Sequence, residues 1–117
     1  MSPAPLGEVF WVRLPERTPP GREQSGRRPC VLIADPATVH PTRYPVVILA
    51  PFTGRTLPAA VLYPRLQAGT GGLPTASTVL LDQLVAVDVG RIEGRLGALT
   101  PDELEPVRVG LRAMLGL

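Results

Sequence analysis

Hydrophobic and polar positions alternate over short stretches in most of the chain, which is typical of β-strands. Gly7–Leu14 is rich in β-branched and aromatic residues and roughly alternates in polarity, so it predicts a first strand. Continuous apolar runs of strand length predict buried strands at Pro29–Ala34 and Tyr44–Ala50. Weaker or shorter strands are expected at Ala59–Tyr63, Ser77–Leu81 and Leu84–Asp88.

The segments between these strands carry turn and loop residues. Pro15–Arg28 holds three prolines, two glycines and several charges without periodicity, which predicts a long loop. Loops of this length in a small domain are usually functional. Asp35–Arg43 predicts a turn or surface excursion, and Gly69–Gly72 predicts a flexible turn.

The last segment changes to a helical pattern. Thr100, Pro101 and Glu103 are the N-cap, first-turn proline and capping-box residue expected where a helix starts. An apolar face recurs at helical spacing, and Gly116 is placed to end the helix. Pro106 leaves open a kink or a later start. The apolar face consists of Leu104, Val107, Leu111 and Leu115.

Several strands followed by one amphipathic helix predict a mainly β fold, a small SH3-like antiparallel barrel or curled sheet with a C-terminal α-helix. The 117 residues have room for a single domain, expected over 1–117. No apolar stretch is long enough to span a bilayer, and the N-terminus lacks the features of a secretory signal. We therefore expect no membrane association and a cytoplasmic location.

Charge is distributed unevenly along the chain. Residues 1–65 hold eight arginines against four acids, whereas residues 66–117 hold four arginines against six acids. This asymmetry predicts a basic face for an anionic partner.

The scarcity of histidine and cysteine limits which catalytic mechanisms and metal sites the chain can form. His40 is the only histidine, so a histidine pair for acid–base catalysis cannot form within one chain, and a loop position beside Pro41 is its expected role. Cys30 is the only cysteine and lies in an apolar run, where burial is expected. We therefore predict no metal site and no cofactor. Gly69–Gly72 is followed by no lysine, which argues against a phosphate-binding loop.

Four stretches of the chain resemble a known family in the order in which they occur. They are Gly7–Val12, the run from Glu23 through Arg28 and Pro29 into the apolar stretch ending at Ile33, Pro51–Thr53, and Ser77–Leu84. Together they are similar to the MazF/PemK toxins, and the resemblance spans nearly the whole chain. The second stretch is the most specific of the four.

The resemblance implies a metal-independent endoribonuclease that cuts single-stranded RNA sequence-specifically. In this family the ribose 2′-hydroxyl attacks the adjacent phosphorus and leaves a 2′,3′-cyclic phosphate and a 5′-hydroxyl. By its position before the proline that opens the second strand, Arg28 corresponds to the catalytic arginine, and Thr53 to the catalytic hydroxyl residue. A guanidinium and a hydroxyl suit a transition state that gains charge on phosphate oxygens.

Further residues are assigned to RNA binding by type and by the same resemblance. Gln24 and Ser25 carry groups suited to phosphates or base edges, with simple solvation as the alternative. Glu23 is a candidate general base by type, and a solvated loop charge is the alternative. The other assigned RNA-binding residues are Arg27, Arg55, Ser77 and Gln83.

The resemblance also implies partners: a second copy of the chain in a homodimer, and a MazE-like antitoxin with an acidic C-terminal segment. Two other functions stay open alongside the endoribonuclease. One is a toxin of the same fold that inhibits DNA gyrase, like CcdB, although the only tryptophan here is Trp11 rather than one near the C-terminus. The other is an RNA-binding module without catalytic activity.

Overall fold

The fold is mainly β, with seven strands and one α-helix in the part of the chain that a computed structural model describes, residues 6–39, 41 and 45–117. The predicted fold class, an antiparallel curled sheet with a C-terminal helix, is confirmed. The strands are β1 (Glu8–Leu14), β2 (Gly26–Ala34), β3 (Val46–Thr53), β4 (Arg65–Leu66), β5 (Ser77–Val79), β6 (Val85–Asp88) and β7 (Ile92–Ala98), and the helix is α1 (Pro101–Leu115).

All strand pairs are antiparallel, and the main path across the sheet is β4-β5-β3-β2-β1-β7. Strand β6 lies off this path and pairs with the first half of β3, from Val46 to Leu49. Strand β5 pairs with the other end of β3, at Phe52 and Thr53. The sheet therefore splits along β3 into two branches.

The sheet buries apolar residues on both of its faces. One cluster includes Val9, Val31 and Phe52 and packs against Leu104 and Val107 of α1. The second cluster includes Val12, Cys30 and Leu49 on the opposite face. Consecutive residues of a strand point to opposite faces, so β2 contributes Val31 to the first cluster and Cys30 to the second.

The ends of α1 follow the sequence prediction. The Thr100 side chain accepts from the N–H of Glu103, and the Glu103 carboxylate accepts from the N–H of Thr100, which forms the capping box. Gly116 ends the helix in the left-handed conformation. The helix runs from Pro101 through Pro106 to Leu115, so the later start that Pro106 left open does not occur.

Several predicted strand boundaries are wrong. The strand expected at Ala59–Tyr63 is instead a turn in which the N–H of Leu62 donates to the carbonyl of Ala59. Prolines at positions 58 and 64 bracket this short apolar run, and the next strand begins only at Arg65. The strand expected at Ser77–Leu81 ends at Val79, and a short 3-10 helix, Leu81–Gln83, follows.

Two further differences come from strand pairing. The long loop predicted to reach Arg28 ends at Ser25, because Gly26–Arg28 pair with Leu14–Val12 of β1. Strand β7 was not predicted, since Gly94 and Gly97 interrupt its pattern, yet it pairs with β1. Strand β3 continues to Thr53, past the predicted end at Ala50.

Some predictions concern residues outside the described ranges. These are the role of His40, the N-terminal end of the strand expected from Tyr44, part of the predicted Asp35–Arg43 turn, and the character of residues 1–5. Within the described part, Pro36–Thr38 forms a short 3-10 helix. No helix among the described residues has the length and hydropathy needed to cross a membrane.

Candidate active site and RNA-binding surface

A row of four polar side-chain positions crosses the sheet where β2 and β3 end. Cys30 pairs with Pro51, and continuing this register by two residues places Arg28 opposite Thr53. Thr53 in turn pairs with Thr78 of β5, and Thr78 pairs with Arg65 of β4. The row is therefore Arg28, Thr53, Thr78 and Arg65, with a guanidinium at each end and two hydroxyls between.

Strand alternation determines which face carries this row. Arg28 pairs with Val12 and lies two residues from Cys30, and both belong to the second core cluster. Thr53 lies two residues from Pro51, which pairs with Cys30. Arg28 and Thr53 therefore occupy the same face of the sheet, just beyond the apolar residues of that cluster.

The two predicted catalytic residues differ in exposure. Arg28 is exposed, and its Nε donates to the main-chain carbonyl of Ser25 at 3.2 Å. Thr53 is 9% exposed, and its Oγ1 accepts from the N–H of Arg55 at 3.4 Å. The Arg28 guanidinium is therefore open to solvent, where an anion could reach it, whereas the Thr53 hydroxyl is nearly buried.

Arg65 and Thr78 were missed by the sequence analysis. Nη1 of Arg65 donates to the carbonyls of Gly54 and Arg55 and to Oγ1 of Thr78, at 2.9, 3.1 and 2.9 Å. One guanidinium thus holds the turn that follows Thr53. No local motif signals this role, because Arg65 reaches Thr53 only through strand pairing.

Ser77 and Arg27 lie apart from the row. Ser77 is 4% exposed, and its hydroxyl donates to the carbonyl of Thr75, whereas its neighbour Thr78 pairs with Thr53. Arg27 lies on the other face of β2, where its guanidinium sits 4.1 Å from the centre of the Trp11 ring.

Arg27 also shares an acidic partner with Arg13. The Nε atoms of Arg27 and Arg13 donate to the two oxygens of Glu93, at 2.8 and 3.0 Å. Hydrogen bonds from Arg27 and Arg13 lower the pKa of the Glu93 carboxyl below its ordinary value. Glu93 therefore stays ionised and offsets part of the positive charge on that face.

Three of the other predicted RNA-binding residues line one cavity. Glu23, Gln24 and Gln83 surround a cavity of about 180 Å³ together with Arg17 and Asp82. The main-chain N–H of Gln24 donates to Oε1 of Gln83 at 2.8 Å, which attaches the loop before β2 to the 3-10 helix after β5. Pro51 also lines the cavity, two residues before Thr53, so the cavity adjoins the row.

The remaining groups near the site set its charge. Arg55 is exposed in the turn after Thr53. Tyr63 donates to Oδ2 of Asp82 at 2.6 Å, and this hydrogen bond raises the pKa of the Tyr63 hydroxyl.

Among the described residues no group of three or more histidine, cysteine, aspartate or glutamate side chains could hold a metal ion.

Cys30 lies under the site and is completely buried, as predicted. Burial raises the pKa of its thiol to about 12, against a smaller opposing effect of Arg28. The thiol is therefore protonated at neutral pH and serves as a small packing group.

A curled antiparallel sheet with a terminal helix, crossed by a row of arginine and threonine positions, defines a small mainly β protein with a candidate anion-binding surface. A sequence model described as "PemK-like, MazF-like toxin of type II toxin-antitoxin system" matches residues 6–115. The chain belongs to this family.

Solved structures agree with this assignment. MazF from Deinococcus radiodurans is 26% identical, with a TM-score of 0.74 and 96% of each chain covered. A MazE–MazF complex from the same organism matches with 27% identity, a TM-score of 0.69, and 96% of this chain and 95% of that chain covered. A mycobacterial endoribonuclease in complex with its cognate antitoxin is 22% identical, with a TM-score of 0.71 and 97% of each chain covered, and supports the fold.

Proposed function

We propose that this toxin is a metal-independent, sequence-specific endoribonuclease that cleaves single-stranded RNA at the row of Arg28, Thr53, Thr78 and Arg65. The observation that supports the proposal most directly is that Cys30 of β2 pairs with Pro51 of β3, and that Arg28 and Thr53 each lie two residues beyond this pair on the same face of the sheet. Family membership supports it, since solved structures of similar fold include proteins described as endoribonucleases.

The reaction is an internal transesterification. The ribose 2′-oxygen attacks the adjacent phosphorus, the bond from phosphorus to the 5′-oxygen breaks, and the leaving 5′-oxygen takes up a proton. The products carry a 2′,3′-cyclic phosphate and a 5′-hydroxyl, and no water is consumed.

Arg28 and Thr53 act on the charge that develops during this step. The Arg28 guanidinium donates to non-bridging phosphate oxygens, where it can hold two of them at once. The Thr53 hydroxyl donates a further hydrogen bond, and its nearly buried position strengthens that interaction. Arginine keeps its proton at ordinary pH, so Arg28 stabilises charge and another group accepts the 2′-proton.

Neighbouring residues hold the RNA strand in this proposal. Glu23, Gln24, Ser25 and Gln83 contact nucleotides beside the cleaved phosphate, and Arg55 neutralises backbone charge. Arg27 binds RNA less directly, because Glu93 and Trp11 already contact its guanidinium on the other face.

The partners follow from the same family membership. We propose that the protein acts as a homodimer in the cytoplasm and is inhibited by a MazE-like antitoxin with an acidic C-terminal segment. Deinococcus MazF structures that include MazE support the kind of partner. Inhibition of gyrase is not favoured, since Trp11 packs under Arg27 on β1 and does not lie near the C-terminus.

The test is cleavage of a defined single-stranded RNA by purified protein in EDTA, with the chemistry of the new ends determined. We expect cyclic phosphate ends, and a rate lower by about 10²- to 10³-fold for Arg28→Ala and for Thr53→Ala, as for the loss of a preorganised donor. Thr53→Ser, which keeps a hydroxyl, should retain most of the activity. Arg91→Ala is the matched arginine control, because Arg91 lies near the Val46 end of β3.

Intact RNA after incubation with wild-type protein would refute the ribonuclease proposal. Wild-type rates for Arg28→Ala or Thr53→Ala would refute the assignment of that residue. Circular dichroism of each variant shows whether a lost rate reflects lost structure.

A further inference from the structure

The start of β2 places two arginines side by side on opposite faces of the sheet. Arg28 belongs to the row of the proposed active site, whereas Arg27 lies on the other face, over the Trp11 ring. Short hairpin turns fix the register of the strands that they join, but residues 15–25 form a long loop between β1 and β2. The position of Arg28 therefore depends on contacts that the first residues of β2 make themselves.

The arginines at this end of the sheet need an acidic partner. Arg27 pairs with Arg13 of β1, and like charges directly opposite each other destabilise a sheet. Arg28 adds a third guanidinium at the next position of β2. Glu93 relieves this repulsion, because its two carboxylate oxygens accept from Nε of Arg27 at 2.8 Å and from Nε of Arg13 at 3.0 Å.

A β-bulge brings Glu93 into this position. The residues on either side of Glu93 pair with adjacent residues of β1, Gly94 with Trp11 and Ile92 with Val12, so Glu93 is the extra residue of the bulge. A bulge re-aims a side chain, and this one extends from β7 at the edge of the sheet past β1 to β2. One carboxylate thus joins three strands where the long loop leaves and rejoins the sheet.

The residues beside Arg27 are held less firmly. Gly26 has a φ of +76° and no side chain, and Nε of Arg28 donates to the carbonyl of Ser25, which belongs to the loop itself. Arg27, in contrast, contacts Trp11 of β1 and Glu93 of β7. Arg27 therefore anchors this end of β2, and its main chain leads directly into Arg28.

We propose that Glu93 is a positioning residue for Arg28: its carboxylate holds Arg27 and Arg13, and so keeps the start of β2 in the register that presents the Arg28 guanidinium to the cleaved phosphate. The inference rests on the proposed function, in which Arg28 stabilises the charge that develops there. It adds a residue that acts from the opposite face of the sheet without touching RNA.

Steady-state kinetics of Glu93→Gln separates positioning from a simple charge effect. The variant has one negative charge fewer, so RNA should bind at least as tightly and KM should stay the same or fall. A misplaced Arg28 slows the chemical step, so kcat should fall roughly three- to tenfold, as expected for the loss of two solvent-exposed ion pairs. If Glu93 only offset positive charge, kcat would be unchanged.

Two further measurements do not require cleavage. Trp11 is the only tryptophan of the chain, and its ring lies 4.1 Å from the Arg27 guanidinium. In Glu93→Gln, acrylamide should quench Trp11 fluorescence more strongly. The main-chain N–H groups of Gly26–Arg28 should exchange roughly three- to tenfold faster, as followed by NMR. If both changes occur in a protein that does not cut RNA, the anchoring by Glu93 stands and only the ribonuclease proposal is refuted.

Glu8→Gln is the matched control. It breaks the ion pair between Glu8 and Arg95, which joins the same two strands at the other end of β1. Its kcat and its Trp11 quenching should stay at the wild-type values. Glu93→Asp keeps the charge on a side chain one methylene shorter, so its kcat should lie between those of wild type and Glu93→Gln. It also provides the test if Glu93→Gln does not fold.

Three results would overturn the positioning role. The first is a wild-type kcat in folded Glu93→Gln, and the second is unchanged Trp11 quenching and exchange in that variant. The third is an equal fall of kcat in Glu8→Gln, because the effect would then reflect a general loss of stability. Circular dichroism and urea unfolding of each variant are measured in parallel.

Discussion

The main-chain N–H of Gln24 donates to the side-chain Oε1 of Gln83 at 2.8 Å, although the two residues lie 59 positions apart. Gln24 precedes β2 in the long loop, and Gln83 ends the 3-10 helix that follows β5. This hydrogen bond attaches the loop to the branch of the sheet that also carries Thr78. The loop is therefore held beside the proposed RNA-binding site.

Removing the Gln83 amide should loosen this loop. In Gln83→Leu the Gln24 N–H has no acceptor, and its hydrogen exchange should accelerate up to roughly tenfold, as for a typical net hydrogen bond. Cleavage should slow, while the melting temperature changes little. Exchange at Gln24 is followed by NMR, with Gln67→Leu as the matched control. Unchanged exchange in Gln83→Leu would show that the hydrogen bond does not restrain the loop.

Arg65 should act as a positioning residue for Thr53. Arg65→Ala removes donors from the carbonyls of Gly54 and Arg55 and from the Thr78 hydroxyl. Misplacement of a catalytic group can cost as much as about 10²-fold in rate, so kcat should fall strongly while KM changes little. Steady-state kinetics measures this, with Arg91→Ala as control and Arg65→Lys as a partial rescue. A wild-type kcat in Arg65→Ala would contradict the role.

Two glycines with positive φ should respond differently to substitution by alanine. Gly69 has φ +87° with open space around an added Cβ, whereas at Gly72, with φ +78°, the Cβ would collide with the carbonyl oxygen of Leu96 in β7. Gly69→Ala should cost about 1 kcal/mol of unfolding free energy from backbone strain alone. Gly72→Ala should cost more than about 3 kcal/mol, because backbone atoms must also move.

Urea unfolding of both variants provides the measurement. Equal losses of stability would mean that the contact between the 69–72 turn and β7 is not tightly packed. The comparison is internally matched, since the two glycines share a turn and a left-handed backbone conformation.

Cys30 should make stability fall at alkaline pH. Its pKa rises from an ordinary 9.0 to about 12 in the folded protein because of burial, so the folded state holds the proton that the unfolded state releases. The contribution of the protonated Cys30 thiol to the free energy of unfolding is complete below pH 9. It is lost as the pH rises toward about 12. Urea unfolding of wild type and Cys30→Ala across this range should show the wild type losing more stability. Parallel curves would disprove the linkage.

The sequence predicted those features that depend on neighbouring residues. The capping box of Thr100 and Glu103 and the left-handed Gly116 appear where their local signals place them. The apolar run around Cys30 predicted a buried strand, and β2 is one. Strands without a local signal, such as β7 with its two glycines, were missed because pairing with β1 stabilises them.

The candidate site shows the same contrast between residues that the sequence identified and residues that only strand pairing revealed. The family pattern identified Arg28 and Thr53, which lie two residues beyond the paired Cys30 and Pro51 on the same face of the sheet. It also selected Ser77, whereas the sheet pairs the adjacent Thr78 with Thr53. A shift of one residue along a strand moves a side chain to the other face, and sequence spacing alone does not reveal which of the two faces the site.

By itself, the sequence determined the mainly β class, the capping residues of the terminal helix, the burial of Cys30 and, through the family resemblance, the two residues proposed for catalysis. Periodicity, capping and composition act over a few residues, so they can be read along the chain. Only the tertiary structure decided that Arg27 and Arg28 face opposite sides, that Arg65 supports the turn after Thr53, and that Gln24 meets Gln83 at a cavity. These relationships arise from strand register and from loop contacts between distant segments, which depend on how the whole sheet pairs.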